Sequence, residues 1–274
     1  MIKTTFVIVV SGVITMQAWA ADVAIKTLTY GQHHLFADIY STQATRTPGL
    51  HPAVIFIHGG GWSAGDRTEF TDQAKVLAQN GVVAIAIDYR LANVVPWPAQ
   101  ADDVEQAVWW VRENATELGI DPKRVGVIGG SAGAHLAGWL ATSNRLSPKG
   151  TPARPNAVIA LWGPWDLTQP TDTLSRDANN IITALLGPNG NRRAASPQYR
   201  IDSNTAPTLI FHGKRDRLVP YSQSVNACAA IKSAGAPCNL VLFENEGHDG
   251  IKHKANSRLM IEFMATFLKA HLFK

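Results

Sequence analysis

Beyond the first twenty residues, blocks of uninterrupted apolar positions alternate with blocks whose apolar positions recur every three to four residues. The first kind predicts buried strands and the second amphipathic helices. Val23–Tyr30 and Leu35–Tyr40, separated by Gly31 and a polar stretch, predict an antiparallel hairpin. Strands are then predicted at Ala53–Ile57, Val82–Ile87, Val125–Ile128, Ala157–Leu161, Thr208–Phe211 and Asn239–Phe243. Helices are predicted at Glu69–Gln79, Ala101–Leu118, Ala132–Ala141, Val225–Ala234 and Ser257–Leu272. Asn80-Gly81 and Gly119 stand where the first two helices should stop. Strands apolar along their whole length and separated by helices imply a mainly parallel central sheet with helices on both faces, an α/β fold. The stretch 163–207 breaks the rhythm with many Pro, Asn and Asp residues and one helical piece near Ile181–Leu186. It reads as an insertion over the carboxyl edge of the sheet, and no linker divides residues 21–274 into more than one domain.

The N-terminus follows a different grammar. Lys3 is the only charge in residues 1–20, Phe6–Met16 is apolar, and Ala18-Trp19-Ala20 forms a small-residue site before Ala21. That pattern predicts a cleavable signal peptide and a secreted or periplasmic mature chain. The apolar core is too short for a membrane span. In an exported chain the two cysteines, Cys228 and Cys238, admit one intramolecular disulfide, with two buried thiols as the alternative. The chain carries 25 basic and 21 acidic residues, a net charge of +4, with no basic run of five. Loss of the leader with Lys3 lowers that by one, and nucleic acid is excluded as a partner on this footprint.

Two glycine clusters carry candidate chemistry. Gly129-Gly130-Ser131-Ala132-Gly133 joins a strand to a helix, and such a G-x-S-x-G turn lifts a serine hydroxyl out of the backbone. The helix start behind it offers free N–H groups to an oxyanion. His58-Gly59-Gly60-Gly61-Trp62 follows the strand Ala53–Ile57, where three glycines let the backbone approach a ligand. Neither G-x-G-x-x-G nor G-K-[ST] occurs at these turns, so dinucleotide and P-loop readings fail. The histidines show no metal spacing, and no cofactor is called for.

These motifs resemble the α/β-hydrolase superfamily, and within it the hormone-sensitive-lipase-like esterases with an HGGG loop. The resemblance spans about residues 30–272 and rests on HGGGW at 58–62, DYRL at 88–91, PWPAQ at 96–100 with Asp103 in the next helix, GGSAGAHLA at 129–137, ASP at 195–197, HGKRDRLVP at 212–220 and GHDG at 247–250. The secreted acetyl-xylan and feruloyl esterase-like branch is the most similar. Ala92-Asn93-Val94-Val95 departs from the acidic residue usual after DYRL, so that stretch supports no acyl-pocket reading.

The resemblance implies an α/β-hydrolase fold and a serine carboxylesterase acting on small or saccharide esters. Its nucleophile would be Ser131, its base His248 and its acid Asp216, in the chain order Ser, acid, His. Asp166 is the rival acid and His253 the rival base. Backbone N–H groups of Gly59, Gly60 and Ala132 would form the oxyanion hole, with His58 shaping that loop. Trp62, Trp97 and Trp162, together with Trp165, could flank a cleft, although packing explains tryptophans equally well. An amide-cleaving relative and a non-catalytic binding protein on the same fold remain open at this point. Oligomeric state is left unassigned.

Overall fold

In a computed structural model, the described residues are 22–46, 50–168, 176–248 and 253–273. The leader reading therefore falls outside them. Among the described residues the elements run β1 (Ala24–Tyr30), β2 (Leu35–Ser41), α1 (Gln43–Arg46), β3 (His51–Ile57), α2 (Thr71–Gln79), β4 (Val83–Ile87), α3 (Ala99–Glu113), α4 (Ala115–Leu118), β5 (Ile120–Gly130), α5 (Ala132–Ala141), β6 (Ala157–Leu161), α6 (Arg176–Leu186), β7 (Thr208–Gly213), α7 (Ser222–Ser233), β8 (Cys238–Phe243) and α8 (Lys254–Leu272). They build one eight-stranded sheet in the order β1-β2-β4-β3-β5-β6-β7-β8. β1 and β2 form the predicted antiparallel hairpin, β2 meets β4 antiparallel, and β3 to β8 run parallel.

The apolar runs are buried because both sheet faces are covered. Alternate residues of one strand serve opposite cores, as the two-residue period of a strand requires. In β3, Ile55 and Ile57 face Val104, Val108, Leu136 and Leu140, on α3 and α5. Val54 and Phe56 face Ala74, Ala78, Phe267 and Leu272, on α2 and α8. Each large aliphatic or aromatic side chain moved fully out of water contributes about 1.5–3 kcal/mol.

Several elements differ from their sequence boundaries, and three of them bear on the site. The helix predicted at Ala101–Leu118 breaks at Asn114, whose Nδ2 donates to the Trp110 carbonyl at 2.8 Å. The start of the helix predicted at Glu69 is a 3-10 turn, Arg67–Phe70, capped by the Asp66 carboxylate accepting from Thr68 N at 2.8 Å. In the inserted stretch α6 begins five residues before Ile181, at Arg176. α6 and the loops after β3, β5 and β7 meet at the carboxyl edge of the sheet, where open α/β sheets place their ligands.

Cys228 on α7 and Cys238 at the start of β8 are bonded, with Cα atoms 5.6 Å apart. The bond ties the outermost strand to the helix that precedes it. For a closed loop of eleven residues the chain-entropy account gives about 2.5–3 kcal/mol. Native-source protein should therefore show no alkylatable thiol without reductant, and Cys228→Ala with Cys238→Ala should lower the unfolding free energy by about that amount in urea titrations. Two free thiols by intact mass would rule the bond out.

Candidate active site at the carboxyl edge of the sheet

Ser131 lies between β5 and α5 with φ 52° and ψ −113°, a conformation a serine holds only where its surroundings impose it. The turn is tight because glycine flanks it. A Cβ on Gly133 would sit 2.1 Å from the Ile57 carbonyl oxygen, and one on Gly129 would sit 2.1 Å from the Gly133 carbonyl oxygen. The absent side chains let the start of α5 rest directly on β3 and β5. Ser131 N donates to the Leu161 carbonyl at 2.9 Å, which fixes the turn to the next strand.

Two loops bring partners to the serine. Ser131 Oγ is 2.8 Å from His248 Nε2, and His248 Nδ1 is 2.7 Å from Asp216 Oδ2. An ionised carboxylate only accepts, so Nδ1 carries the proton and the Nε2 lone pair faces the hydroxyl. Asp216 follows β7, and its other oxygen accepts from Leu218 N and Val219 N at 2.9 and 2.8 Å. Burial alone would raise the Asp216 carboxyl. Hydrogen bonds from His212, His248 and Val219, together with the neighbouring imidazole charge, outweigh that and hold it at about 2.

The rivals are engaged elsewhere. Asp166 Oδ1 accepts from Thr168 N and Oγ1 at 2.8 and 2.6 Å, and its Oδ2 accepts from the Tyr199 hydroxyl at 3.1 Å. His253 Nδ1 donates to Glu246 Oε1 at 2.7 Å.

The HGGG loop corrects one expectation. Gly59 N donates to Glu69 Oε2 at 2.9 Å, so this amide is already committed and is not a free oxyanion donor. Burial raises the Glu69 carboxyl, while the Gly59 hydrogen bond opposes the rise. Gly61, which the motif reading passed over, lines a cavity together with Ser131 and Ala132. Gly60 makes the turn between them, its carbonyl accepting from Ser63 N and Ala64 N.

The loop carbonyls are held from behind. The Tyr89 hydroxyl lies 3.2 Å from the His58 carbonyl and 3.1 Å from that of Gly59, and its ring stacks on His58 at 4.2 Å. His58 is 1% exposed, burial lowers its pKa, and its Nδ1 lies 2.9 Å from the Gly59 carbonyl oxygen. The rest of the DYRL motif is absorbed in the same way. Asp88 pairs with Arg67 at 2.9 Å, and Arg90 with Asp103 at 2.7 Å.

The cavity beside Ser131 has a volume of about 70 Å³ and apolar walls from Trp62, Ala178, Ile181, Ile182 and Leu218. Three of these come from α6, so the inserted stretch forms one wall. The tryptophan expectation survives only in part. Trp62 reaches this cavity, but the half-buried Trp97 packs edge-on against His135 and Trp139, at 5.5 and 4.9 Å, on the outside of the core. Trp162 packs on the α2/α8 side, and Trp165 is fully buried. Large planar side chains at strand ends bury more area there than they would at a cleft rim. Glu69, Tyr89, Gly61 and His212 were all missed as site residues. Gly61, Tyr89 and His212 each stood inside a quoted motif, HGGGW, DYRL and HGKRD, without being assigned a role, whereas Glu69 left no signal. Among the described residues no group of three or more His, Cys, Asp or Glu side chains converges as metal ligands would.

Comparison with known proteins agrees with this architecture. A BD-FAE family profile matches residues 37–231. The chain is 30% identical to esterase LipQ of Mycobacterium tuberculosis over 230 residues, covering 79% of this chain and 55% of that protein. Ethyl acetate hydrolase of Pseudomonas putida is 29% identical, with 72% of this chain and 65% of that protein covered. The chain spans about half the length of the mycobacterial relatives it matches. The crystallised esterase Est2 of Thermogutta terrifontis superposes with a TM-score of 0.76 at 29% identity, covering 90% of this chain and 92% of that one. The same enzyme has been solved with butyrate bound, at TM-score 0.74. The profile match over most of the chain, with a fold shared with Est2, means that the chain belongs to the BD-FAE family of hormone-sensitive-lipase-like α/β-hydrolases.

Proposed function

We propose that this protein is an exported serine carboxylesterase that hydrolyses short-chain acyl esters. The observation that carries the reading is the continuous chain Ser131 Oγ, His248 Nε2, His248 Nδ1, Asp216 Oδ2, which ends at a small apolar cavity. Ser131 attacks the acyl carbonyl while His248 Nε2 takes its proton, and Asp216 stabilises the imidazolium that forms. The oxyanion is stabilised by backbone N–H groups, assigned to Gly61 and Ala132 because both residues line the cavity with Ser131, supported by the dipole of α5. His248 then returns the proton to the leaving alcohol. Water, activated by the same imidazole, hydrolyses the acyl-enzyme and regenerates Ser131.

The short-acyl preference draws on the 70 Å³ cavity, whose apolar walls suit a few carbons, and on butyrate seen in the related Est2. Export draws on the leader-like residues 1–20 and on the bonded cysteine pair. Among the described residues no helix is long and apolar enough to cross a membrane. Acetyl and feruloyl esters of plant polysaccharides are the natural substrates that an exported esterase of this kind would meet.

Three measurements test the reading. A fluorophosphonate should label the protein once, Ser131→Ala should lose both label and turnover, His248→Ala should lower kcat by about 10⁶-fold and Asp216→Asn by about 10⁴-fold. Activity persisting in Ser131→Ala, or a larger loss in Asp166→Asn than in Asp216→Asn, would sink the assignment.

The pH profile follows from the charge states. Asp216, lowered to about 2, stays a carboxylate from pH 4 upward. kcat/KM should therefore rise with pH through one ionisation, the loss of the His248 proton, because only the neutral imidazole accepts from Ser131. A flat profile between pH 4 and 8 for p-nitrophenyl acetate contradicts the histidine base.

Across p-nitrophenyl esters of two to sixteen carbons, kcat/KM should peak between acetyl and butyryl. Ile181→Ala should move that peak to longer chains by opening the α6 wall. A wild-type maximum at twelve carbons or beyond overturns the short-acyl proposal. Acetate or ferulate released from acetylated xylan or feruloylated arabinoxylan would extend the reading to polysaccharides; none released would confine it to small esters.

A further inference from the structure

His212 makes more contact with the acid of the triad than any role assigned so far requires. It stands near the carboxyl end of β7, four residues before Asp216, and is wholly buried. Its Nε2 lies 3.1 Å from Asp216 Oδ2 and 2.9 Å from the Val219 carbonyl oxygen. Its Nδ1 lies 2.7 Å from Ser224 Oγ on α7.

The protonation of this ring is fixed by its partners. A backbone carbonyl can only accept, so Nε2 must carry a proton. Nδ1 is then free, in the neutral ring, to accept from the Ser224 hydroxyl. That one N–H is shared between the Val219 carbonyl at 2.9 Å and Asp216 Oδ2 at 3.1 Å, so Oδ2 accepts one arm of a bifurcated bond from His212 beside the His248 bond at 2.7 Å. Among the described residues, the other ionisable groups on these loops face elsewhere. Lys214 pairs with Glu244 at 2.5 Å, Glu246 pairs with His253, and Arg215 and Arg217 are exposed.

We propose that His212 is a positioning residue for the reaction: its Nε2–H aims and shares the charge of Asp216 Oδ2, so that the hydrogen-bonded chain runs Ser224, His212, Asp216, His248, Ser131. Two Oδ1 bonds to backbone amides fix where the carboxylate sits, but they do not fix the lone pair that His248 uses. The His212 donor constrains that oxygen from the opposite side. It also disperses charge that would otherwise act on His248 alone, and a carboxylate with more undispersed charge holds the His248 proton more firmly. This inference rests on the serine-hydrolase reading above.

The test pairs a ring without nitrogen against a side chain that keeps a donor near the Nε2 position. His212→Phe should lower kcat for p-nitrophenyl acetate at least tenfold, change KM less than threefold, and move the acid limb of kcat/KM upward by about half a pH unit or more. His212→Gln should recover a third or more of the wild-type kcat and return the limb toward its wild-type position. If His212→Phe folds and matches wild type in rate and limb, the proposal is wrong. It is equally wrong if His212→Gln is as impaired as His212→Phe, because the loss then follows ring packing rather than the donor.

A reading that needs no variant to fold comes from ¹⁵N-histidine NMR of the wild-type protein. His212 should be protonated at Nε2 and accepting at Nδ1 at pH 8, and a ring protonated at Nδ1 alone overturns the proposal. That readout is independent of turnover. Failure of the esterase reading would appear separately, as a wild-type protein that neither labels with fluorophosphonate nor hydrolyses esters.

Discussion

The close approach of α5 to β3 and β5 is the constraint on which the site depends. A helix can start this near two strands only if its first turn carries no side chain where the strand carbonyls lie, and Gly133 against Ile57 meets that condition. The approach forces Ser131 into a left-handed turn costing of order 1–3 kcal/mol, which the surrounding packing must offset. All ten residues of α5 are buried, so the strain is set against a full complement of apolar contacts. The proposed nucleophile, Ser131, is thus positioned by one backbone event.

The remaining groups reach Ser131 from loops, and loops need outside support to hold a geometry. The HGGG loop receives it from Tyr89, which bonds two of its carbonyls, and from Glu69, which takes the Gly59 amide. Tyr89 is itself placed between two ion pairs, Asp88 with Arg67 and Arg90 with Asp103. The triad loops receive theirs from the backbone amides of Leu218 and Val219 and from His212. Buried polar groups arranged in this way are each satisfied by a partner that is also structural, which is how irregular backbone stays ordered at a sheet edge.

Much of this was legible in the residues themselves, and the misses have a common cause. The central strands announced themselves because a strand covered on both faces must be apolar throughout, as Val83–Ile87 and Ala157–Leu161 are. Ser131 was legible because the turn it occupies demands glycine at fixed offsets. The break at Asn114 was not, since a side chain bonding its own helix leaves the apolar period intact. Gly59 was misread as a free donor because its occupancy depends on Glu69, ten residues away and on a different turn. Trp97 and Trp162 looked like cleft residues by their position at loop starts, yet which side of a loop a ring faces is decided by tertiary packing. Contacts between loops, unlike periodicity along an element, leave no mark on any one segment.

Ser131 and His248 are 117 positions apart in the chain, and Asp216 lies 32 before His248. The three side chains come from the ends of β5, β7 and β8, and the latter two strands form one flank of the sheet. A partly synthesised or clipped chain that stops after α5 has its elbow but neither Asp216 nor His248. Loss of β8, an edge strand paired on one side only, separates His248 from Ser131 while leaving β3, β4 and β5 paired. The earliest thing to disappear as this protein loosens should therefore be the hydrogen-bonded relay, well before its bulk secondary structure, which makes turnover a more sensitive gauge of intactness than any spectroscopic measure of helix or strand.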